Sequence, residues 1–222
     1  MTEGERRPLE VRRLGRVPYA EGLALQEELV RARRAGDIPD TLLLLEHPHV
    51  ITLGAAASWA HVVSDEAERA LLDIELFETG RGGDVTYHGP GQLVGYPILD
   101  LKPDRKDLHR YLRDLEELLI RVAGDFGLQA GRSEGQTGVW TPGGKLAAIG
   151  VRVSSGWITS HGFALNVHTD LRFFETIVPC GIPDREVTSL QSELGRLVSL
   201  DEASDFVERA FESVFERRLP VA

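Results

Sequence analysis

Arg81-Gly82-Gly83-Asp84-Val85-Thr86-Tyr87-His88-Gly89-Pro90-Gly91-Gln92 runs directly into the apolar stretch Leu93-Val94-Gly95-Tyr96-Pro97-Ile98-Leu99. Val85 to His88 and Leu93 to Leu101 read as strands, with Ile74 to Glu78 as a further strand upstream. Glycine admits φ > 0 and lets a ligand approach the backbone. The segment therefore reads either as a Gly/Pro hairpin with polar decoration or as a binding loop presenting Arg81, Thr86, Tyr87 and His88.

Outward from this stretch, helix and strand patterns alternate. Glu10 to Gly15 is a first strand, and Tyr19 to Ala35 is a helix closed by Gly36. Thr41 to Leu45 is an uninterrupted apolar run, the pattern of a strand covered on both faces. His49 to Leu53 is another strand, and Ser64-Asp65-Glu66 opens a short helix to about Leu72. After the glycines, Asp107 opens a helix whose Leu108, Tyr111, Leu112, Leu115, Leu118, Leu119, Val122 and Phe126 hold the spacing of one buried face. Val139 to Val167 is strand again, with turns at Pro142-Gly143-Gly144 and Ser154-Ser155-Gly156. The capping box Ser199-x-x-Glu202 opens a last helix burying Phe206, Val207, Ala210, Phe211, Val214 and Phe215. These elements predict one α/β (α+β) domain over residues 1–222, a mixed β-sheet flanked by helices, with residues 1–8 flexible.

Composition narrows the function classes. The chain has 222 residues and a formal net charge of −10, which argues against non-specific nucleic-acid binding. No apolar run approaches the roughly 20 residues of a membrane span, and the charged N-terminus does not read as a secretory signal. A single cysteine, Cys180, suits a reducing compartment, so the expected location is the cytoplasm. The 25 Lys and Arg residues include only three lysines, one of them in Pro142-Gly143-Gly144-Lys145. Lysine can give up its proton when desolvated; arginine cannot.

Cys180 lies in Ile177-Val178-Pro179-Cys180-Gly181-Ile182-Pro183. A lone cysteine among apolar residues is commonly an inert small hydrophobe, but flanking prolines and a glycine suit a rigid loop that presents a thiol. A thiol with a pKa of about 8.5 needs a cationic or basic neighbour to react at neutral pH. Lys145, His88 and His161 are the candidates.

The stretch Arg81 to Gln92 resembles, nearly residue for residue, the Arg-Gly-Gly-x-x-Thr-Tyr-His-Gly-Pro-Gly-Gln hallmark of the octanoyltransferases of lipoate biosynthesis. Three further segments extend the resemblance over roughly residues 40 to 190: Gly143-Gly144-Lys145-Leu146-Ala147-Ala148-Ile149-Gly150, Ser160-His161-Gly162-Phe163-Ala164-Leu165-Asn166-Val167, and Pro179-Cys180-Gly181-Ile182. The resemblance implies a biotin/lipoate protein ligase-like fold and a Cys180–Lys145 dyad. It also implies a substrate site lined by Arg81, Gly82, Gly83, Asp84, Val85, Thr86, Tyr87 and His88, by Ala148, Ile149 and Gly150, and by Gly162, Phe163 and Ala164. Small residues there are expected to leave room for a straight acyl chain, and glycine N–H groups to hold a thioester oxyanion. His47, in Glu46-His47-Pro48, also has a family counterpart; read alone it is a strand-end histidine with its hydrogen bonds satisfied.

The implied reaction transfers octanoyl from octanoyl-acyl carrier protein to the lysine of a lipoyl domain, in 2-oxoacid dehydrogenases or the glycine cleavage H protein, through a cysteine thioester. No cofactor, metal, nucleic acid or membrane is implied. An ATP-dependent lipoate or biotin ligase is the rival enzyme. It needs no nucleophilic cysteine, and the aspartate of the lipoate ligases' Gly-Gly-Gly-x-Val-x-His-Asp stretch is replaced here by Gly89. A non-catalytic relative that binds a carrier domain is the other rival, and the presence of both Cys180 and Lys145 speaks against it. Gly143-Gly144-Lys145-Leu146 is not a P-loop, and His47 and His49 lack further ligands at metal-binding spacing.

Overall fold

The computed structural model describes residues 6–178 and 186–219. In chain order the elements are β1 (Arg7–Arg16), α1 (Tyr19–Ala35), β2 (Asp40–Glu46), β3 (Val50–Leu53), α2 (Glu66–Leu71), β4 (Glu75–Glu78), β5 (Val85–His88), β6 (Gln92–Ile98) and α3 (Leu108–Asp125). They continue with β7 (Gly131–Ser133), β8 (Gln136–Thr141), β9 (Gly144–Val153), β10 (Thr159–Asn166), α4 (Leu190–Leu194), α5 (Leu200–Phe215) and β11 (Arg217–Arg218).

The strands form two sheets where sequence reading expected one: an eight-stranded mixed sheet ordered β11-β1-β2-β6-β10-β9-β8-β7, and a three-stranded sheet ordered β4-β3-β5. β2 explains why the large sheet needs helices on both sides. Its alternate residues point to opposite faces. Leu42 and Leu44 join the cluster under α3 and α5, while Leu43 and Leu45 join the cluster under α1. β6 alternates likewise, Leu93 on the α3/α5 side and Val94, Tyr96 and Ile98 on the α1 side.

Helix ends follow local chemistry. Gly36 closes α1 at φ 84° and its N–H bonds back to Arg33 O. The Asp107 carboxylate caps α3, and the Ser199 hydroxyl caps α5 by accepting from Glu202 N. Two residues of α3 depart from a simple apolar face. Leu108 is exposed, and Glu116 is buried on the apolar face. Glu116 is compensated there, accepting from Arg113, Arg132 and the Gly138 N–H. On α5, Phe206 and Val214 are only half-buried.

The glycine segment is not a hairpin. β5 pairs antiparallel with β3 in the small sheet, whereas β6 pairs with β2 and β10 in the large one. Gly89-Pro90-Gly91 is thus a crossover between sheets. Gly91 takes φ 79° and donates its N–H to Glu46 Oε2 at 2.9 Å, anchoring the crossover to the end of β2. At the N-terminus, Arg7 and Pro8, within the stretch expected to be flexible, pair in register with Arg217 and Arg218. No described helix is long and apolar enough to cross a membrane.

One buried carboxylate ties distant elements together. Asp40 accepts from Arg33 Nε of α1 (2.7 Å), from Arg217 Nε of β11 (2.8 Å) and from Asp100 N beyond β6 (2.9 Å). Both Asp40 and Arg217 are buried. Breaking such a pair strands a charge, so Asp40→Ala is expected to cost about 3–5 kcal/mol, read as a lower urea midpoint with an unchanged slope. A loss below about 1 kcal/mol would place the pair in the class of exposed ion pairs instead.

Candidate active site

The sheet forks at β9. β8 pairs with β9 only as far as Ala147. Beyond that point, on the side away from β10, the β9 edge meets the Arg81–Gly83 loop, and Gly82 N donates to Val151 O at 2.8 Å. A cavity of about 520 Å³ occupies this fork, within the size range of small-molecule sites.

The three central motifs meet there. The cavity wall includes Arg81, Gly82, Gly83, Asp84, Val85, Thr86 and His88 from the glycine loop and β5, Lys145, Ala148, Ile149 and Gly150 from β9, and His161, Gly162, Phe163 and Ala164 from β10. Two expected members are elsewhere. Tyr87 is fully buried in the core of the small sheet, stacked on Phe173, its hydroxyl 2.7 Å from His49 Nδ1. Strand alternation sends it away from Thr86 and His88. His47 lies behind the wall with both nitrogens used: Nδ1 donates to Val17 O (2.6 Å), and Nε2 accepts from the Tyr96 hydroxyl (2.7 Å). Cys180 lies outside the described residues.

The wall also holds residues that sequence reading missed. Leu108 and Leu112 of α3 had the spacing of core positions yet face the cavity. Tyr19 and Tyr96 add aromatic surface, and Gln92 and Asn166, both inside quoted motifs, supply amides. On the far side of the segment bearing Cys180, Val187 lines the cavity, and Lys145 is bound on both sides of it: Lys145 N donates to Glu186 O (2.9 Å), and Thr188 N donates to Lys145 O (3.1 Å).

Gly150 and Gly162 let main-chain segments of the wall pack closely. A Cβ at Gly162 would collide with the Gly95 carbonyl, and one at Gly150 would lie 2.9 Å from Gly82 O. Their missing side chains admit close backbone packing. The Gly82 N–H is already bonded to Val151 O, so it does not serve an oxyanion. The acyl-compatible surface comes from Leu108, Leu112, Ile149, Val151 and Phe163.

Arg81 is buried and braces the loop, donating to Thr52 O (2.6 Å), Thr52 Oγ1 and Gly82 O. Burial dominates the titration of the nearby imidazoles. It pushes His88 down to about 3 and His161 and His47 down to about 4, with the Arg81 charge adding to the shift at His88 and His161. Asp84 accepts from Ser58 N, and its other oxygen lies 2.6 Å from His61 Nδ1.

The Lys145 ammonium sits 5.1 Å from the centroid of the Trp140 ring, a cation–π distance. Gly138 makes this placement feasible. It adopts φ 135°, and a Cβ there would lie 2.6 Å from Ala147 O and 2.9 Å from Lys145 Cε. Gly138→Ala is therefore expected to displace Lys145 and lower turnover on the order of 10²-fold, with the helical circular-dichroism signal retained. Wild-type turnover in that variant would mean that the ammonium position is not critical.

Comparison with known proteins identifies the family and the fold. Residues 18–212 match the family model of the lipoyl protein ligase A/B catalytic domain. The chain is 58% identical over 200 residues to an octanoyltransferase of Rubrobacter xylanophilus, spanning 89% of this chain and 90% of that one. In fold it is similar to a crystal structure of lipoate-protein ligase A bound with ATP (TM-score 0.76, 18% identity, 96% of this chain and 90% of that one). It is similar also to the biotin protein ligase of Aquifex aeolicus in complex with biotin and ATP (TM-score 0.58, 15% identity, 93% and 70%). On this sequence identity, and on the fold of the lipoyl protein ligase A/B catalytic domain, the chain belongs to the octanoyltransferases.

Proposed function

We propose that this octanoyltransferase works through a Cys180 thioester, taking octanoyl from octanoyl-acyl carrier protein and passing it to the lysine amine of a lipoyl domain. The acceptors on this reading are the lipoyl domains of 2-oxoacid dehydrogenases and the glycine cleavage H protein, in the cytoplasm. The observation that carries it is the position of Lys145. Its side chain shares one largely apolar cavity with the glycine loop, and its main chain is bonded to both Glu186 and Thr188, just beyond the segment that contains Cys180.

Lys145 is the proton carrier in this scheme. It takes the thiol proton, returns it to the departing carrier thiol, and then deprotonates the incoming ammonium. His88 and His161 are poor alternatives, because burial leaves both imidazoles neutral and weakly basic at pH 7. Thioester exchange is nearly isoenergetic and the final amide lies downhill, so no ATP is needed.

Intact mass spectrometry after incubation with octanoyl carrier protein is expected to show one octanoyl adduct, lost in Cys180→Ala. An adduct that persists in that variant, or transfer that requires ATP, would overturn the thioester route.

A further inference from the structure

A chain of buried amides starts at His88 and ends on two main-chain carbonyls. His88 Nδ1 lies 2.7 Å from Gln92 Oε1; Gln92 Nε2 contacts Tyr87 O (3.3 Å) and Asn166 Oδ1 (2.9 Å); Asn166 Nδ2 contacts Thr188 O (2.9 Å). Main-chain carbonyls only accept. The Asn166 amide must therefore donate toward Thr188 and turn its oxygen to Gln92. Gln92 must then spend both N–H groups on Asn166 and Tyr87 and turn its own oxygen to His88. His88 accordingly carries its hydrogen on Nδ1, and Nε2 is left with its lone pair. Reversing either amide would set two donors or two acceptors against each other.

His88 faces the cavity, and the far end of the chain is bonded to the strand of Lys145, since Thr188 N donates to Lys145 O. We infer that His88 Nε2 is a fixed acceptor that holds the attacking primary amine of the second substrate, at a position set relative to Lys145 by Gln92, Asn166 and Thr188. The inference rests on the acyl-transfer reading above. A lone pair is the wrong partner for a thioester, whose carbonyl oxygen and developing oxyanion both require donors. Of the reacting groups, the amine brings N–H hydrogens to the reacting atom. In the transfer step the C–N bond forms and the C–S bond breaks; of the two protons the substrate ammonium sheds, one reaches the cysteine thiolate by way of Lys145 and the other is released to solvent. His88 takes no proton. It orients the amine nitrogen relative to Lys145.

The direct test is two-bond ¹⁵N–¹H correlation on protein labelled with ¹⁵N-histidine, with His88 assigned by its loss in His88→Gln. The expected pattern is an Nδ1–H neutral ring, unchanged from about pH 5.5 to 8. An Nε2–H ring, or an imidazolium in that range, overturns the inference. The kinetic test separates the half-reactions. His88→Leu is expected to slow amine transfer from preformed acyl-enzyme roughly tenfold more than it slows acyl loading, and His88→Gln, which restores an acceptor oxygen, is expected to recover part of that loss. Equal slowing of both half-reactions in both variants overturns the amine assignment in favour of a structural role. Absence of any Cys180 adduct in the wild-type enzyme would instead remove the thioester route, and the NMR result would still decide the ring's polarity.

Discussion

Lys145→Arg is expected to lose about 10²- to 10⁴-fold in octanoyl transfer, while Cys180 stays alkylatable by iodoacetamide at neutral pH. Arginine keeps the positive charge and stacks on aromatic rings at least as well as lysine, so the contact with Trp140 survives the substitution. What arginine lacks is a proton that it can release near neutral pH. A purely electrostatic Lys145 would tolerate the change; a proton carrier would not. The measurement is single-turnover transfer from acyl-enzyme to lipoyl domain, beside the alkylation rate of the free enzyme. Transfer at near wild-type rate would reduce Lys145 to an electrostatic fixture. Burial leaves His88 and His161 on the cavity wall too weakly basic to replace it.

The second large effect is acid instability at pH values where most carboxylates are still ionised. His47, His88 and His161 are all buried, with folded-state pKa values near 4, 3 and 4, against about 6.5 in an unfolded chain. Below pH 6.5 the unfolded chain binds protons that the folded one refuses, so stability rises with pH across this window and falls as pH drops through it. At pH 5 each histidine costs about 2 kcal/mol, together about 6 kcal/mol. That is a large share of a typical total of about 5–15 kcal/mol. Calorimetry from pH 7.5 to 4.5 is expected to show the melting temperature falling steeply below pH 6, ending in unfolding near pH 4.5 to 5. A flat profile from pH 7 to 5 would show that these imidazoles titrate normally.

Much of this protein was legible locally. The Tyr19–Ala35 helix and its Gly36 cap, the caps at Asp107 and Ser199, and the doubly covered strand at Thr41 to Leu45 all follow from interactions within a few residues. The three central motifs converge on one cavity. Glu116 was illegible because its compensation comes from Arg132 and Gly138, distant in sequence. Tyr87 and His88 are adjacent and equally polar in the sequence, and only pairing of β5 with β3 decides which of them faces the cavity. Leu108 and Leu112 show the periodicity of core residues, and periodicity does not distinguish a core from an apolar cavity.

By itself the sequence determined most of the elements and the segments that line the cavity, because capping, φ preference and side-chain period act over a few residues. The tertiary structure decided which strands pair across the two sheets, where β9 opens to admit the glycine loop, and which nitrogen of His88 bears the hydrogen. Each of these depends on hydrogen bonds between residues far apart in the chain, such as Gln92 with Asn166 and Gly82 with Val151, whose partners no local preference can select.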